Sequence, residues 1–127
     1  EDHAARAATI QLLCGGAIMD FIEYEKEAAS TAFYPRQYAI VYPALGLAGE
    51  SGEVAEKVKK MIRDSNVDAH ALHKEIGDVL WYLAALCNDM SEEYGIDLSL
   101  NKAAQVNLDK LRDRATRGVL SGNGDNR

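Results

Sequence analysis

Two long segments of helical period, separated by a short polar turn, constrain the fold of this chain more than any other feature. The first runs from Pro43 to Arg63 and the second from about Ala69 to Met90. Apolar residues recur in both at three- and four-residue intervals, which is typical of amphipathic helices. Pro43 suits a first helical position and Asp68 suits an N-cap. Because the connection is short, we expect the two helices to be antiparallel neighbours.

Helical patterns also flank this central pair. Residues 20–32 predict a first helix, and residues 100–116 predict a fourth, which would begin at Ser99 and turn Leu100, Val106 and Leu111 inward. Residues 33–42 form an aromatic-rich connection without a clean period. Strand-type alternation is scarce and only 2 residues are proline. The pattern therefore predicts an all-α bundle of four to five helices.

Composition limits the classes of protein to which the chain can belong. Its 127 residues suit one domain, which we assign to residues 19–127, with residues 1–18 as a leader or extra N-terminal segment. The net charge of −6 argues against a nucleic-acid polymer as partner. No apolar run approaches the length that spans a membrane. Cys14 and Cys87 lie far apart, which indicates a reducing, cytoplasmic setting.

Two acidic pairs lie on the predicted central helices. Glu50 and Glu53 are three residues apart on the first, and Glu75 and Asp78 are three apart on the second. Residues at this spacing share a helix face, where like charges repel. If residue 66 is the centre of the hairpin, the two pairs are offset by about four residues, or roughly 6 Å. Side chains can cover that distance, so four carboxylates would converge between the helices.

Four converging carboxylates favour a hard divalent cation. Oxygen ligands without His or Cys suit Mg²⁺ or Mn²⁺ better than Zn²⁺, and Mg²⁺ leaves room for substrate phosphates. Such a site is suited to hydrolysis of a phosphoanhydride. The alternative interpretation is that each pair is a solvated helix face, and the spacing alone leaves this alternative open.

Longer motifs surround the acidic pairs. The segment Tyr42-Pro-Ala-Leu-Gly-Leu-Ala-Gly-Glu-Ser-Gly-Glu-Val-Ala-Glu-Lys (42–57) resembles the first signature of the MazG-like nucleotide pyrophosphohydrolases. Lys74-Glu-Ile-Gly-Asp-Val-Leu-Trp-Tyr-Leu (74–83) is similar to the second. The ending 107–114 is similar to the tail of compact single-domain members. The resemblance covers residues 19–127.

The resemblance implies an all-α fold that assembles as a dimer or a dimer of dimers. It implies cleavage of a nucleoside triphosphate between the α- and β-phosphates, with two or more Mg²⁺ or Mn²⁺ ions bound alongside the substrate. By motif position, Glu50, Glu53, Glu75 and Asp78 would be the metal ligands. Glu53, and after it Glu50, would take the proton from the attacking water.

Further residues are candidates for substrate binding. Tyr82 follows Asp78 by one helical turn, Lys57 and Lys60 share the face of Glu50, and a basic run follows Asn107, where some related enzymes have Lys. Aromatic side chains near the motifs would stack on a base. The full set is Tyr42, Lys57, Lys60, Trp81, Tyr82, Asn107, Lys110 and Arg114.

Substrate choice stays open at the level of the sequence, because carboxylates and metal treat all triphosphates alike. The resemblance includes purine-preferring enzymes, which makes dGTP a candidate. The alternatives are an enzyme restricted to dUTP or dCTP, a phosphoribosyl-ATP pyrophosphohydrolase, and a non-catalytic helical module that binds a cation.

Overall fold

A computed structural model describes residues 19–125, and this part of the chain is helical without strands, which confirms the all-α prediction. The predicted leader, residues 1–18, lies outside the described residues. A short 3₁₀ helix, Arg36–Tyr38, stands between the first two α-helices. The α-helices are α1 (Phe21–Ala29), α2 (Val41–Asp64), α3 (Ala69–Tyr94) and α4 (Leu100–Arg117).

Helices α2 and α3 form the central antiparallel pair that the sequence predicts. Gly46, near the start of α2, faces Tyr82 of α3, and Lys57 further along α2 pairs with Glu75 near the start of α3. Helix α1 packs on α3, and α4 packs mainly on α1 and α3. The carboxylates of the two motifs therefore face each other across the central pair.

Polar caps begin the helices at or near the predicted positions. Carboxylate oxygens of Asp20 and Asp68 accept the backbone N–H groups of residues three further on, at 2.8 and 3.0 Å. The hydroxyl of Ser99 accepts the N–H of Lys102 at 3.1 Å. These bonds satisfy N–H groups that have no partner inside a helix.

The prediction for Pro43 is corrected by the structure. Helix α2 begins at Val41, so Pro43 occupies its third position rather than its first. Proline is still tolerated there, because the N–H groups of the first turn have no carbonyl partner inside the helix. The side chain of Pro43 is fully buried.

The buried core is small and lies where α1, α3 and α4 meet. Ala28, Ala84, Cys87 and Leu100 form it, and Tyr24, Leu80, Trp81 and Leu83 pack against it. Burial raises the pKa of the Cys87 thiol, and the nearby Glu25 carboxylate adds to this effect. An inert, packed thiol at this position serves the core rather than chemistry.

The predicted inward face of α4 is wrong beyond its first turn. Leu100 is buried, but Val106 is 60% exposed and Leu111 is 38% exposed. In this half of α4 Arg114 is buried and binds Asp125 of the C-terminal segment, whereas the apolar side chains Val106 and Leu111 are left partly uncovered. Within residues 19–125, no helix is long and apolar enough to cross a membrane.

Candidate metal centre

Three carboxylates come together between α2 and α3. One oxygen each from Glu50, Glu75 and Asp78 lies within 4.8 Å of the other two. Glu50 and Glu75 are partly buried and Asp78 is exposed, so the cluster opens to solvent on one side. Two antiparallel helices in the observed register bring these side chains together.

The donor set fits a divalent cation that prefers oxygen ligands. With metal–oxygen distances of about 2.1 Å, oxygens on opposite sides of a Mg²⁺ ion lie about 4.2 Å apart. Among three ligands of one octahedral ion at least two pairs are adjacent, at about 3.0 Å. Rotations of the side chains would bring the three carboxylate oxygens, which lie within 4.8 Å of one another, to this geometry. Three protein ligands leave further positions for water or for substrate oxygens, as is usual for Mg²⁺.

The pKa of Glu50 reports the electrostatic cost of this cluster. Partial burial raises it, and the negative charges of Asp78, Glu75 and Glu53 raise it further. Glu53 itself is exposed and lies outside the group of three oxygens that approach one another. The structure therefore brings together three of the four predicted ligands and leaves Glu53 near Glu50 but outside the group.

Lys57 sits beside the cluster. Its ammonium group lies 3.5 Å from the carboxylate of Glu75, so its partner is across the helix pair rather than on its own helix. Its side chain is 35% exposed and keeps one side toward solvent. Lys60 instead pairs with Glu56 on the outside of α2, at 3.8 Å. Of the two predicted lysines, Lys57 is the one placed next to the carboxylates.

Aromatic side chains form a cleft beside the carboxylates. Tyr34 and Tyr42 stack with ring centroids 4.6 Å apart and planes within 12°. Trp81 and Tyr82 meet edge to face, and the indole N–H of Trp81 donates to the hydroxyl of Thr31 at 2.8 Å. The cleft encloses about 380 Å³, and its lining comprises Thr31, Phe33, Tyr34, Pro35, Tyr42, Trp81 and Tyr82.

Tyr82 joins the cleft to the carboxylates. Burial raises its pKa, and its closeness to Tyr42 and Glu50 raises it further. Its ring lies directly on the backbone of α2 at Gly46, where a Cβ atom would overlap the ring. Gly49 and Gly52 have open space where a Cβ would stand. Of the three glycines near the start of α2, only Gly46 is therefore required by a close approach.

Asp89 is a site-adjacent residue that the sequence analysis missed. It is 2% exposed and accepts hydrogen bonds from Tyr34 and Arg36 and from the backbone N–H of Ile40. Burial alone would raise the pKa of Asp89, but these three donors hold it below its usual range. Asp89 follows Asp78 by about three helical turns, so both residues share one face of α3. This spacing is the sequence signal that could have identified Asp89.

The predicted substrate contacts on α4 have other partners here. Asn107 lines a shallow groove with Lys110. Lys110 and the buried Arg114 both bind the carboxylate of Asp125, at 3.1 Å each. Helix α2 is not among the main packing partners of α4. Within residues 19–125, Lys110 and Arg114 hold the C-terminal segment against α4 rather than approach the carboxylates.

Comparison with known proteins agrees with this arrangement. Residues 43–119 match the MazG nucleotide pyrophosphohydrolase domain family. The "Gene 37 protein" of Mycobacterium phage L5 is 40% identical over 115 residues, which cover 82% of this chain and 96% of that protein. No solved structure matches significantly.

The family match spans α2, α3 and α4, including all four motif carboxylates and the cleft residues Tyr82 and Trp81. Both the match and the identity to the phage protein cover the helix pair that carries the site. The chain belongs to the MazG nucleotide pyrophosphohydrolase domain family.

Proposed function

We propose that this chain hydrolyses nucleoside triphosphates between the α- and β-phosphates, releasing a nucleoside monophosphate and pyrophosphate. The observation that carries the proposal is the approach of Glu50, Glu75 and Asp78 oxygens to within 4.8 Å of one another. Family membership supports the reaction class. An acidic cluster alone would serve equally well for cation binding.

Glu50, Glu75 and Asp78 would hold the divalent cation, with Mg²⁺ or Mn²⁺ favoured by the all-oxygen donor set. Once bound, the cation polarises phosphoryl oxygens and makes an attacking water more acidic. We expect two or more ions with substrate present, since a triphosphate brings further oxygen ligands. In metal-free protein the three carboxylates repel one another, which the raised pKa of Glu50 reflects.

Glu53 is our candidate for the general base, with Glu50 as the second choice. Glu53 is exposed and its charge acts on Glu50, so a water beside the cluster would reach it. The oxygen of that water would attack the α-phosphorus, and its proton would go to the Glu53 carboxylate. The bond from the α-phosphorus to the bridging oxygen would break, and the bridging oxygen would leave with pyrophosphate.

The aromatic cleft would take the base. Phe33 is 88% exposed at its rim, and Trp81, Tyr42 and Tyr82 present ring surfaces to its interior. Stacking on aromatic rings tolerates any base, because every base has a π-face. A purine preference, with dGTP as the candidate, therefore stays a prediction from the resemblance. Lys57 would contact phosphates from its place beside Glu75.

We further propose that the chain works as a homodimer or homotetramer. The exposed apolar side chains Val41, Leu45 and Ile62 lie along the side of α2 that faces away from α3, and they are 56%, 69% and 77% exposed. A second copy would cover them, as it would Val106 and Leu111 of α4. Isolated monomers seldom expose so many apolar side chains along one element. A cytoplasmic location stays a prediction from the sequence.

A turnover panel tests the proposal. The full chain is incubated with Mg²⁺ or Mn²⁺ and each standard ribo- or deoxyribonucleoside triphosphate, and products are resolved by anion exchange and ³¹P NMR. Monophosphate and pyrophosphate are expected. Diphosphate and phosphate would contradict the cleaved bond, and cation binding without any product would favour the non-catalytic module. Two variants accompany the panel. Asp78→Asn removes one of the three converging carboxylates and should lose turnover, and Glu92→Gln, which changes an exposed carboxylate elsewhere on α3, should keep it.

A further inference from the structure

A buried carboxylate that the proposed reaction does not use organises the segment between α1 and α2. One oxygen of Asp89 accepts from the guanidinium of Arg36. The other accepts from the hydroxyl of Tyr34 at 2.5 Å and from the backbone N–H of Ile40 at 3.0 Å. Asp89 thus binds three separate points of residues 34–40 to α3. A buried charge with this many donors is fully satisfied.

The backbone is strained at one of these points, Ile40. Ile40 has φ of 70° and ψ of −55°, and the N–H of Val41 donates to the carbonyl of Ala39 at 2.8 Å. This is a γ-turn of the rare, strained kind, on a β-branched residue that disfavours positive φ. Such a conformation persists only where its surroundings hold it in place. The carboxylate of Asp89, which accepts the N–H of Ile40, is such a constraint.

The strained turn sets the position of the aromatic wall. The chain passes from Ile40 directly into α2, and Tyr42 in its first turn stacks on Tyr34. Tyr34 also meets the edge of Trp81, with centroids 6.3 Å apart. Asp89 holds both ends of this wall, through the hydroxyl of Tyr34 and through the turn before Tyr42.

We propose that Asp89 is a positioning residue for the nucleotide cleft, which acts by fixing the stacked Tyr34–Tyr42 wall against which the base docks. The inference rests on the proposed function. Asp89 does not touch the carboxylate cluster, so its loss should weaken stacking equally in the ground state and the transition state. A change of that kind raises KM and leaves kcat nearly unaltered.

The test compares Asp89→Asn with wild type and with Glu92→Gln, an exposed carboxylate one turn further along α3. The substrate is dGTP, or the triphosphate turned over fastest in the panel. We expect KM to rise about tenfold and kcat to change less than about twofold, as expected for loss of one base–aromatic stack. Inorganic tripolyphosphate, which has no base, is the second probe, and its inhibition constant should stay within about twofold.

Hydrogen exchange supplies a readout that does not depend on activity. The amide of Ile40 should exchange at least about tenfold faster in Asp89→Ala than in Glu92→Gln, because alanine leaves it without its acceptor, whereas the amide oxygen of Asn still accepts hydrogen bonds. If Asp89→Asn does not fold, Tyr34→Phe replaces it. That variant keeps the ring and loses only the hydroxyl, and it should raise KM about threefold with an unchanged tripolyphosphate constant.

Each outcome separates the inference from the function on which it rests. If KM is unchanged and only the fraction of folded, active protein falls, Asp89 is a purely structural residue. That result would overturn the inference and leave the proposed function intact. Equal losses for dGTP and tripolyphosphate would also overturn the inference, since the phosphate site would have moved as well. Wild-type protein that cleaves no triphosphate would overturn the proposed function and, with it, the inference.

Discussion

The two sides of α2 differ in what their side chains contact. The side toward α3 holds Gly46 against Tyr82, Glu50 in the carboxylate cluster and Lys57 paired with Glu75. The opposite side exposes Val41, Leu45 and Ile62 to solvent. Helix α2 also turns apolar residues inward, since Pro43 is buried and Leu47 and Val54 are half-buried. The exposed apolar side chains are therefore additional to the packed ones, and they are the ones that the proposed assembly would cover.

The side toward α3 should dominate activity. Asp78→Asn removes one of three converging carboxylates, and we expect turnover to fall at least about 100-fold, because charge stabilisation by a cation contributes several kcal/mol. The same substitution should raise the melting temperature of the metal-free protein, since it removes a charge that repels Glu50. Steady-state assays and thermal unfolding in a chelator measure the two effects. A fully active Asp78→Asn would remove the assigned site.

The anchor at the start of α2 should depend on pH. The pKa of Asp89 is lower in the folded chain than its ordinary value of about 3.9, so its contribution to stability is present above that value and is lost as the pH falls through the lowered pKa. Asp89→Asn should cost about 3 kcal/mol at pH 7, the low end for a broken buried pair because Arg36 is half exposed.

Urea unfolding between pH 2 and pH 7, followed by circular dichroism, would measure this effect, since the range reaches about two units below and about three units above the ordinary value. The difference in unfolding free energy between wild type and Asp89→Asn should shrink toward the acid end. A difference that stays constant across the range would show that ionised Asp89 does not stabilise the fold.

Alanine substitutions at two glycines of α2 should change stability in opposite directions. Gly46→Ala would press a methyl group into the Tyr82 ring and should destabilise the protein by about 1–3 kcal/mol, as overpacking does. Gly49→Ala meets open space and should stabilise the monomeric fold by up to about 1 kcal/mol through helix propensity. Paired chemical unfolding curves measure both. Equal effects at both positions would mean that the Tyr82 contact is not close.

Substitutions on the exposed side of α2 should hardly change the stability of the single chain. Leu45→Lys replaces a side chain that is 69% exposed and should change the unfolding free energy by less than about 0.5 kcal/mol. Its effect should be on assembly, where a charge on a contact surface lowers the average mass in sedimentation. An oligomer that withstands Leu45→Lys would place the contact between copies elsewhere.

Much of this molecule follows from local patterns in the sequence. The central helix pair follows from its apolar period, and the ends of helices follow from Asp68, Gly95 and Ser99, whose chemistry suits caps. The approach of Glu50 to Asp78 and Glu75 follows from spacing and a short turn. These features depend on residues close in the chain, which is why a single sequence predicts them.

The features that the sequence did not predict depend on distant contacts. Ile40 takes a positive φ that its own side chain disfavours, and only the carboxylate of Asp89, 49 residues away, explains it. An apolar stripe predicts that a helix face is covered, but it does not say whether the same chain or another chain covers it. The exposure of Val106 and Leu111 therefore could not be predicted from the stripe. Glu53 keeps the motif spacing but lies outside the three-oxygen cluster, because helix rotation decides which of two neighbouring side chains points inward.

The close contact of Gly46 with Tyr82 also has a geometric consequence. Glu50 lies one turn after Gly46 on α2, and Asp78 lies one turn before Tyr82 on the antiparallel α3, so both carboxylates lie about 6 Å along the helix axes from the same contact. Sliding one helix past the other by a single residue would change their axial offset by about 1.5 Å. Because Gly46 has no side chain, Tyr82 lies directly against α2, and this contact fixes the register that places the two carboxylates at the same height.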